Sequence, residues 1–156
     1  MIFLQIRIAG LVPESYVDGR GIRFAIFMQG CLRNCPGCHN PTTHALDGGR
    51  LMDTEDIIYQ FIRNPLLNGI TLTGGEPFLQ IDAANELAKA AKSLGLNVWC
   101  YTGYTLEDLP PEAAVLLNNI DVLVDGAFIE SQRDLDLEFR GSRNQRIINL
   151  ADFRHS

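Results

Sequence analysis

Three of the four cysteines in the chain, Cys31, Cys35 and Cys38, fall within eight residues, in the run Cys31-Leu32-Arg33-Asn34-Cys35-Pro36-Gly37-Cys38. Thiols spaced three and then two residues apart let one loop wrap several ligands around a single metal centre, and local cysteine runs of this kind are the usual signature of iron–sulfur ligation. Disulfides suit the sequence less well. Met1 to Arg7 lacks the basic leader, long apolar core and cleavage site of an export signal, and the cytoplasm expected for such a chain keeps thiols reduced. Three thiolates leave a four-iron cluster one ligand short, and an open coordination position separates a reactive metal site from a closed structural one. The alternative is a zinc staple with His39 or His44 as the fourth ligand. Cys100 lies in an apolar stretch and reads as an ordinary buried thiol.

The fold must present this loop at the end of an element. Branched and aromatic residues predict strands near 2–8 and 22–28, and the cysteine loop begins directly after the second. Asp53-Thr54-Glu55-Asp56 supplies an N-cap and acidic first turn for a helix with Ile57, Ile58, Phe61 and Ile62 at helical spacing, stopping before Pro65. A strand at 69–73, a helix over 83–91 capped by Gly95, a strand at 96–101, a helix from Pro110 to Leu117 and a strand at 121–124 follow. Strands alternating with helices predict a parallel α/β sheet. A closed eight-unit barrel takes about 250 residues, so a chain of 156 residues predicts a single domain, 1–156, with an open or partial barrel. The formal charge of −6 argues against a nucleic-acid surface, and no apolar run approaches the roughly 20 residues of a membrane-spanning helix.

Thr73-Gly74-Gly75-Glu76-Pro77 follows a predicted strand and precedes a helix, at the carboxyl end of the sheet where parallel α/β folds bind ligands. Its glycines permit close backbone approach, Glu76 offers a carboxylate, and Pro77 fixes the helix entry. A plain strand-to-helix turn with a solvated glutamate fits the same residues.

The spacing of Cys31, Cys35 and Cys38 after a glycine-ended strand, followed by Gly74-Gly75-Glu76-Pro77, resembles the radical S-adenosylmethionine superfamily. The resemblance implies a partial (βα) barrel of the radical SAM type, a [4Fe–4S] cluster on the three cysteines, and S-adenosylmethionine on the open iron with Glu76 meeting its amino group. It extends the site to Asn40 past the third cysteine, to Thr73, Gly74, Gly75 and Pro77, and to Thr102 and Asp125 at the ends of the next two strands. A three-thiolate cluster is anionic, which makes a sulfonium cation a fitting partner. Gly37, where the superfamily usually has an aromatic residue, and Ala127, where relatives often carry a basic one, depart from the pattern.

Asp18-Gly19-Arg20-Gly21-Ile22-Arg23 resembles the opening of the activating enzymes for glycyl-radical proteins, and on its own residues reads as a glycine-rich hairpin turn. Residues 139–147, with Phe139-Arg140-Gly141-Ser142-Arg143-Asn144-Gln145-Arg146, resemble the terminal motif of the activating proteins of anaerobic ribonucleotide reductase. This implies the glycyl-radical subunit of that reductase as partner and a flavodoxin or ferredoxin as electron donor. The pyruvate formate-lyase activases are the nearest rival family; a zinc-stapled adaptor without enzymatic activity is the rival of a different class. Arg140, Arg143 and Arg146 read as structural or partner-docking residues, with surface pairing to Asp134, Asp136 and Glu138 as the plain explanation.

Changing any one of Cys31, Cys35 or Cys38 to Ser is expected to abolish cluster-dependent cleavage of S-adenosylmethionine, while Cys100→Ser retains it. Iron content and 5′-deoxyadenosine release after anaerobic reconstitution check this; normal cleavage by folded Cys35→Ser protein would overturn the ligand assignment.

Overall fold

The computed structural model describes residues 4–30 and 48–150. Among these residues seven strands form one sheet: β1 (Gln5–Ser15), β2 (Arg23–Met28), β3 (Arg50–Asp53), β4 (Gly69–Gly74), β5 (Asn97–Tyr101), β6 (Val122–Asp125) and β7 (Arg146–Asn149). Their order is β3-β1-β2-β4-β5-β6-β7. The four central strands, β2, β4, β5 and β6, are mutually parallel, as the strand and helix rhythm predicts. The antiparallel flanks are an addition: β1 pairs with both β2 and β3, and β7 returns against β6. The four-residue β3 and β7 lack the length for a legible alternation. β1 runs on past the predicted end near residue 8, through Gly10 and Pro13; Pro13 falls at a register irregularity between Val12 and Ser15, where a residue without an N–H is tolerated. The sheet does not close, so the molecule is the open, partial α/β barrel that its length predicts.

Among the described residues three helices, α1 (Thr54–Ile62), α2 (Ile81–Ser93) and α3 (Ala114–Leu117), pack on one face. Asp53 occupies the N-cap of α1 in extended conformation, with Glu55 and Asp56 in the first turn, where acidic groups favour the helix dipole. Ala83, Ala84, Leu87, Ala88 and Ala91 form the buried side of α2. These small residues let it lie close to Ile70, Leu72, Val98 and Cys100 of the sheet in one continuous apolar cluster. Gly95, at φ +79°, ends α2 with paired bonds from its own N–H to Lys92 O and from Leu96 N–H to Ala91 O. The helix expected over 110–117 is a 3-10 turn, Pro111–Ala113, leading into the four-residue α3. No helix among the described residues is long and apolar enough to cross a membrane.

Among the described residues the other face carries no helix, yet Arg23, Ala25, Thr71 and Trp99 on it are buried. The connection between β1 and β2 folds over them. Arg23 donates from Nη2 to Ile70 O (2.7 Å) and Asn97 O (3.2 Å), from Nη1 to Arg20 O (2.8 Å) and from Nε to Thr71 Oγ1 (2.7 Å). Its guanidinium lies 5.6 Å from the Trp99 ring centroid, and that of Arg20 lies 5.7 Å from the same ring. Burial lowers the Arg23 pKa to about 10, with Tyr101 and Asp121 opposing, so it stays charged at neutral pH. Gly19 is required here, because a Cβ would stand 2.7 Å from Arg23 Cδ at a φ of +133°. Residues 18–23 thus form the hairpin connection and tie together the amino ends of β2, β4 and β5. Phe139, at a left-handed φ of 61°, completes the cover by placing its ring edge-on to Trp99 at 5.3 Å.

Arg23→Met is expected to destabilise the fold by about 2–5 kcal/mol, since several buried acceptors lose a charged donor at once. Urea unfolding at neutral pH measures this, and an unchanged midpoint would make the clamp incidental.

Candidate functional site

The carboxyl ends of the parallel strands lie opposite the Arg23 clamp. β2 ends at Met28 and leads through Gln29 and Gly30 to Cys31. β4 ends beside it: Gly75 N–H donates to Met28 O and Glu76 N–H donates to Gly30 O, both at 2.7 Å. The two chains touch so closely that a Cβ on Gly75 would fall 2.4 Å from Gly30 O, and one on Gly74, at φ +93°, 2.5 Å from Met28 N. Bare glycine backbone at both positions is therefore what seats the Glu76 turn against the root of the cysteine loop. Gln80, the N-cap residue of α2, reinforces the seat: its Nε2 donates to Arg7 O and Gln29 O, and its Oε1 accepts from Arg7 N–H.

Glu76 is 2% exposed, and a carboxylate so buried must be hydrogen-bonded. Oε2 accepts from Thr102 Oγ1 (2.8 Å) and Phe78 N–H (3.2 Å), and Oε1 accepts from Gly103 N–H (2.7 Å). The carboxylate thus bridges the ends of β4 and β5, and Pro77 opens the 3-10 turn that supplies the Phe78 donor. This overturns the plain solvated-turn reading of Glu76. Burial, with the Glu76 charge adding, raises the Cys100 pKa. Cys100 is a free, buried thiol, consistent with an inert core residue.

Asp125 lies one strand further along, at the end of β6. Its Oδ2 accepts from Leu106 N–H (2.7 Å), and both oxygens pair with Arg146. A cavity of about 320 Å³ opens there, lined in part by Gly103, Thr105, Asp125, Gly126 and Ala127. Gly103 belongs to both places, so the Glu76 site and the cavity form one rim.

Of the residues singled out from sequence, Thr73, Gly74, Gly75, Glu76, Pro77 and Thr102 are brought together, and Asp125 stands at the adjoining strand end. Cys31, Cys35, Cys38, Asn40, His39, His44 and Gly37 lie outside the described residues. Gln80 is a site residue that sequence reasoning missed; its signal, a polar residue at a helix start, is too common to single out. Arg140 and Arg146 also find other partners than Asp134, Asp136 and Glu138. Arg146 pairs with Asp125 and Glu107, and Arg140 donates from Nη1 to Gln145 O.

Three grouped thiols that begin one residue beyond Gly30 in sequence, with the backbone of Glu76 bonded to that residue and its buried carboxylate held at the end of β5, fit an iron–sulfur cluster and an amino-bearing ligand. Gly75→Ala is expected to cost about 1–3 kcal/mol by overpacking and, by displacing Gly30, to reduce iron uptake on anaerobic reconstitution while the far-ultraviolet circular dichroism stays that of wild type. Full iron loading with unchanged stability would show that the contact does not support the loop.

Comparison with known proteins bears on the chemistry. The family described as a 4Fe-4S single cluster domain matches residues 17–148. The anaerobic ribonucleoside-triphosphate reductase-activating protein of Vibrio cholerae is 38% identical over 141 residues, covering 85% of this chain and 91% of that one. Its counterpart in Escherichia coli K12 is 33% identical over 147 residues, covering 88% and 95%, and that of bacteriophage T4 is 32% identical over 149 residues, covering 91% and 93%. The crystal structure of QueE from Escherichia coli superposes with a TM-score of 0.53 at 16% identity, covering 78% of this chain and 70% of that one, a likeness of fold alone. The iron–sulfur reading thereby prevails over the zinc staple, and the chain belongs to the 4Fe-4S single cluster domain family and to the family of anaerobic ribonucleoside-triphosphate reductase-activating proteins.

Proposed function

We propose that this protein cleaves S-adenosylmethionine reductively at a [4Fe–4S] cluster and thereby places a glycyl radical on an anaerobic ribonucleoside-triphosphate reductase. The observation that carries this is the match, over 85–91% of the chain and more than nine-tenths of each relative, with activating proteins of that reductase. Cys31, Cys35 and Cys38 hold the cluster and leave one iron open. When bound, the two groups supply a single electron and a cleavable carbon–sulfur bond; the chain's own residues bind, orient and exclude water.

Glu76 is the residue for the amino group of S-adenosylmethionine. Its carboxylate is held rigidly by Thr102, Gly103 and Phe78, so little reorganises when a cation arrives. Gly74 and Gly75 keep the backbone low enough for close approach, Pro77 fixes the turn, Thr73 and Asp125 complete the rim, and Asn40 serves as a further cofactor contact. In this scheme the partial barrel leaves its cofactor face open to a partner. A large partner that presents its own glycine loop would close that face and exclude water as a lid does. The continuous seven-stranded sheet supports reading 1–156 as a single radical SAM domain. A flavodoxin or ferredoxin is the electron donor in this scheme, and the cytoplasm its compartment, with no nucleic acid or membrane taking part.

Mixing the reduced, reconstituted protein with S-adenosylmethionine and the reductase is expected to yield 5′-deoxyadenosine together with a glycyl-radical doublet in the electron paramagnetic resonance spectrum. Vigorous cleavage without that doublet, with another protein or a metabolite modified instead, would overturn the partner while leaving the radical chemistry standing.

A further inference from the structure

The terminal segment turns inward. Gln145 Oε1 accepts from the N–H groups of Gly141 and Ser142, and Ser142 Oγ donates to Asn144 Oδ1, so the segment is folded on itself. Three consecutive side chains then reach three consecutive residues at the end of β6, in antiparallel order. Asn144 Nδ2 donates to Ala127 O (2.8 Å), Gln145 Nε2 donates to Gly126 O (3.0 Å), and Arg146 donates to the Asp125 carboxylate from Nε (3.0 Å) and Nη2 (2.5 Å). The same guanidinium donates to Glu107 from Nη1 (3.2 Å) and Nη2 (2.8 Å).

Glu107 sits on the turn after β5, and that turn is also fixed to β6 by Leu106 N–H on Asp125 and by Gly126 N–H on Tyr104 O (2.7 Å). Arg146 therefore spans the two strand-end turns that wall the 320 Å³ cavity, and its own side chain lines it. Only a planar fork can face two carboxylates in this way; a lysine presents a single point charge. Asp125 has a side chain only 1% exposed and needs that counter-charge. Each of the three guanidinium nitrogens donates to a carboxylate of this chain, which leaves Arg146 engaged within its own fold instead of with a partner's acidic groups.

We propose that Asn144, Gln145 and Arg146 form the positioning element of the cofactor rim, and that Arg146 sets the affinity for S-adenosylmethionine by locking the turns after β5 and β6 together without touching the reacting atoms. This rests on the reading of the rim as the S-adenosylmethionine site. The directions of the pKa shifts agree with the lock: hydrogen bonding to Asp125 and then Glu107 raises that of Arg146, and hydrogen bonding to Arg146 lowers that of Glu107.

The test uses the reconstituted protein and the variants Arg146→Gln, Arg146→Lys and Glu107→Gln. In Arg146→Gln, amide hydrogen exchange at Leu106 and Gly126 should quicken about tenfold while the amides of β4 exchange as in wild type, and S-adenosylmethionine should bind about tenfold more weakly by calorimetry, as expected for losing a bidentate charged pair. The loss should fall on KM for reductive cleavage rather than on kcat. Arg146→Lys should recover only part of the affinity.

Unchanged exchange and affinity in Arg146→Gln would overturn the proposal. So would a fall in kcat at constant KM, which would put Arg146 in the chemistry, or full rescue by Lys, which would make it a point charge. If Arg146→Gln does not fold, Glu107→Gln, an exposed position, must move exchange and affinity in the same direction by a smaller factor, and its failure to do so is equally fatal. Wild-type protein that binds no S-adenosylmethionine would bring down the cofactor reading and the affinity claim with it. Normal wild-type binding with indifferent variants sinks the lock alone.

Discussion

The site depends on one close backbone contact, the turn after β4 lying against the strand end that leads into the cysteine loop. Two hydrogen bonds, Gly75 to Met28 and Glu76 to Gly30, join chain segments some forty-five residues apart in sequence. They form only because Gly74 and Gly75 have no side chain to intervene. The contact fixes the backbone of Glu76 to the residue that precedes Cys31, while its buried carboxylate turns to the end of β5.

The two ends of the sheet divide the labour. At the amino ends, Arg23 and Trp99, covered by Arg20 and Phe139, clamp β2, β4 and β5 with charged hydrogen bonds and ring contacts. At the carboxyl ends the glutamate of β4, the hydroxyl of Thr102 and the aspartate of β6 are each held by neighbouring strands or turns. Rigidity at one end lets the other present buried polar groups in defined positions, which is the form that electrostatic preorganisation takes in a binding rim.

Burial also sorts the titratable groups by role. Cys100 is shielded and its pKa raised, so it stays a core thiol. Burial likewise raises the pKa of Tyr101, with Asp18 adding and Arg23 opposing, which keeps the phenol protonated on the face of the sheet that carries Arg23. Asp125, by contrast, is buried with its counter-ion supplied from β7, thirteen residues after Arg133 pairs with Ser142 to bring the segment round in a short bridge.

The cysteine spacing, the glycine pair before Glu76 and the alternation of strands and helices were readable from the residues, because each is a local pattern: ligand spacing, backbone freedom, apolar period. They are enough for the parallel core, the open barrel and the ligand set expected of Cys31, Cys35 and Cys38. The antiparallel flanks were not readable, since β3 and β7 are four residues long and owe their form to neighbours already in place. Nor could the residues alone say that Arg23 of the glycine-rich motif is a buried clamp, that Gln80 braces the loop root, or that Arg146 faces Asp125 and Glu107 instead of the nearby Asp134, Asp136 and Glu138. Those pairings join positions between twenty-one and seventy-four residues apart. Only the tertiary structure decides them, because a side chain's partner is set by which strand ends the sheet order brings together.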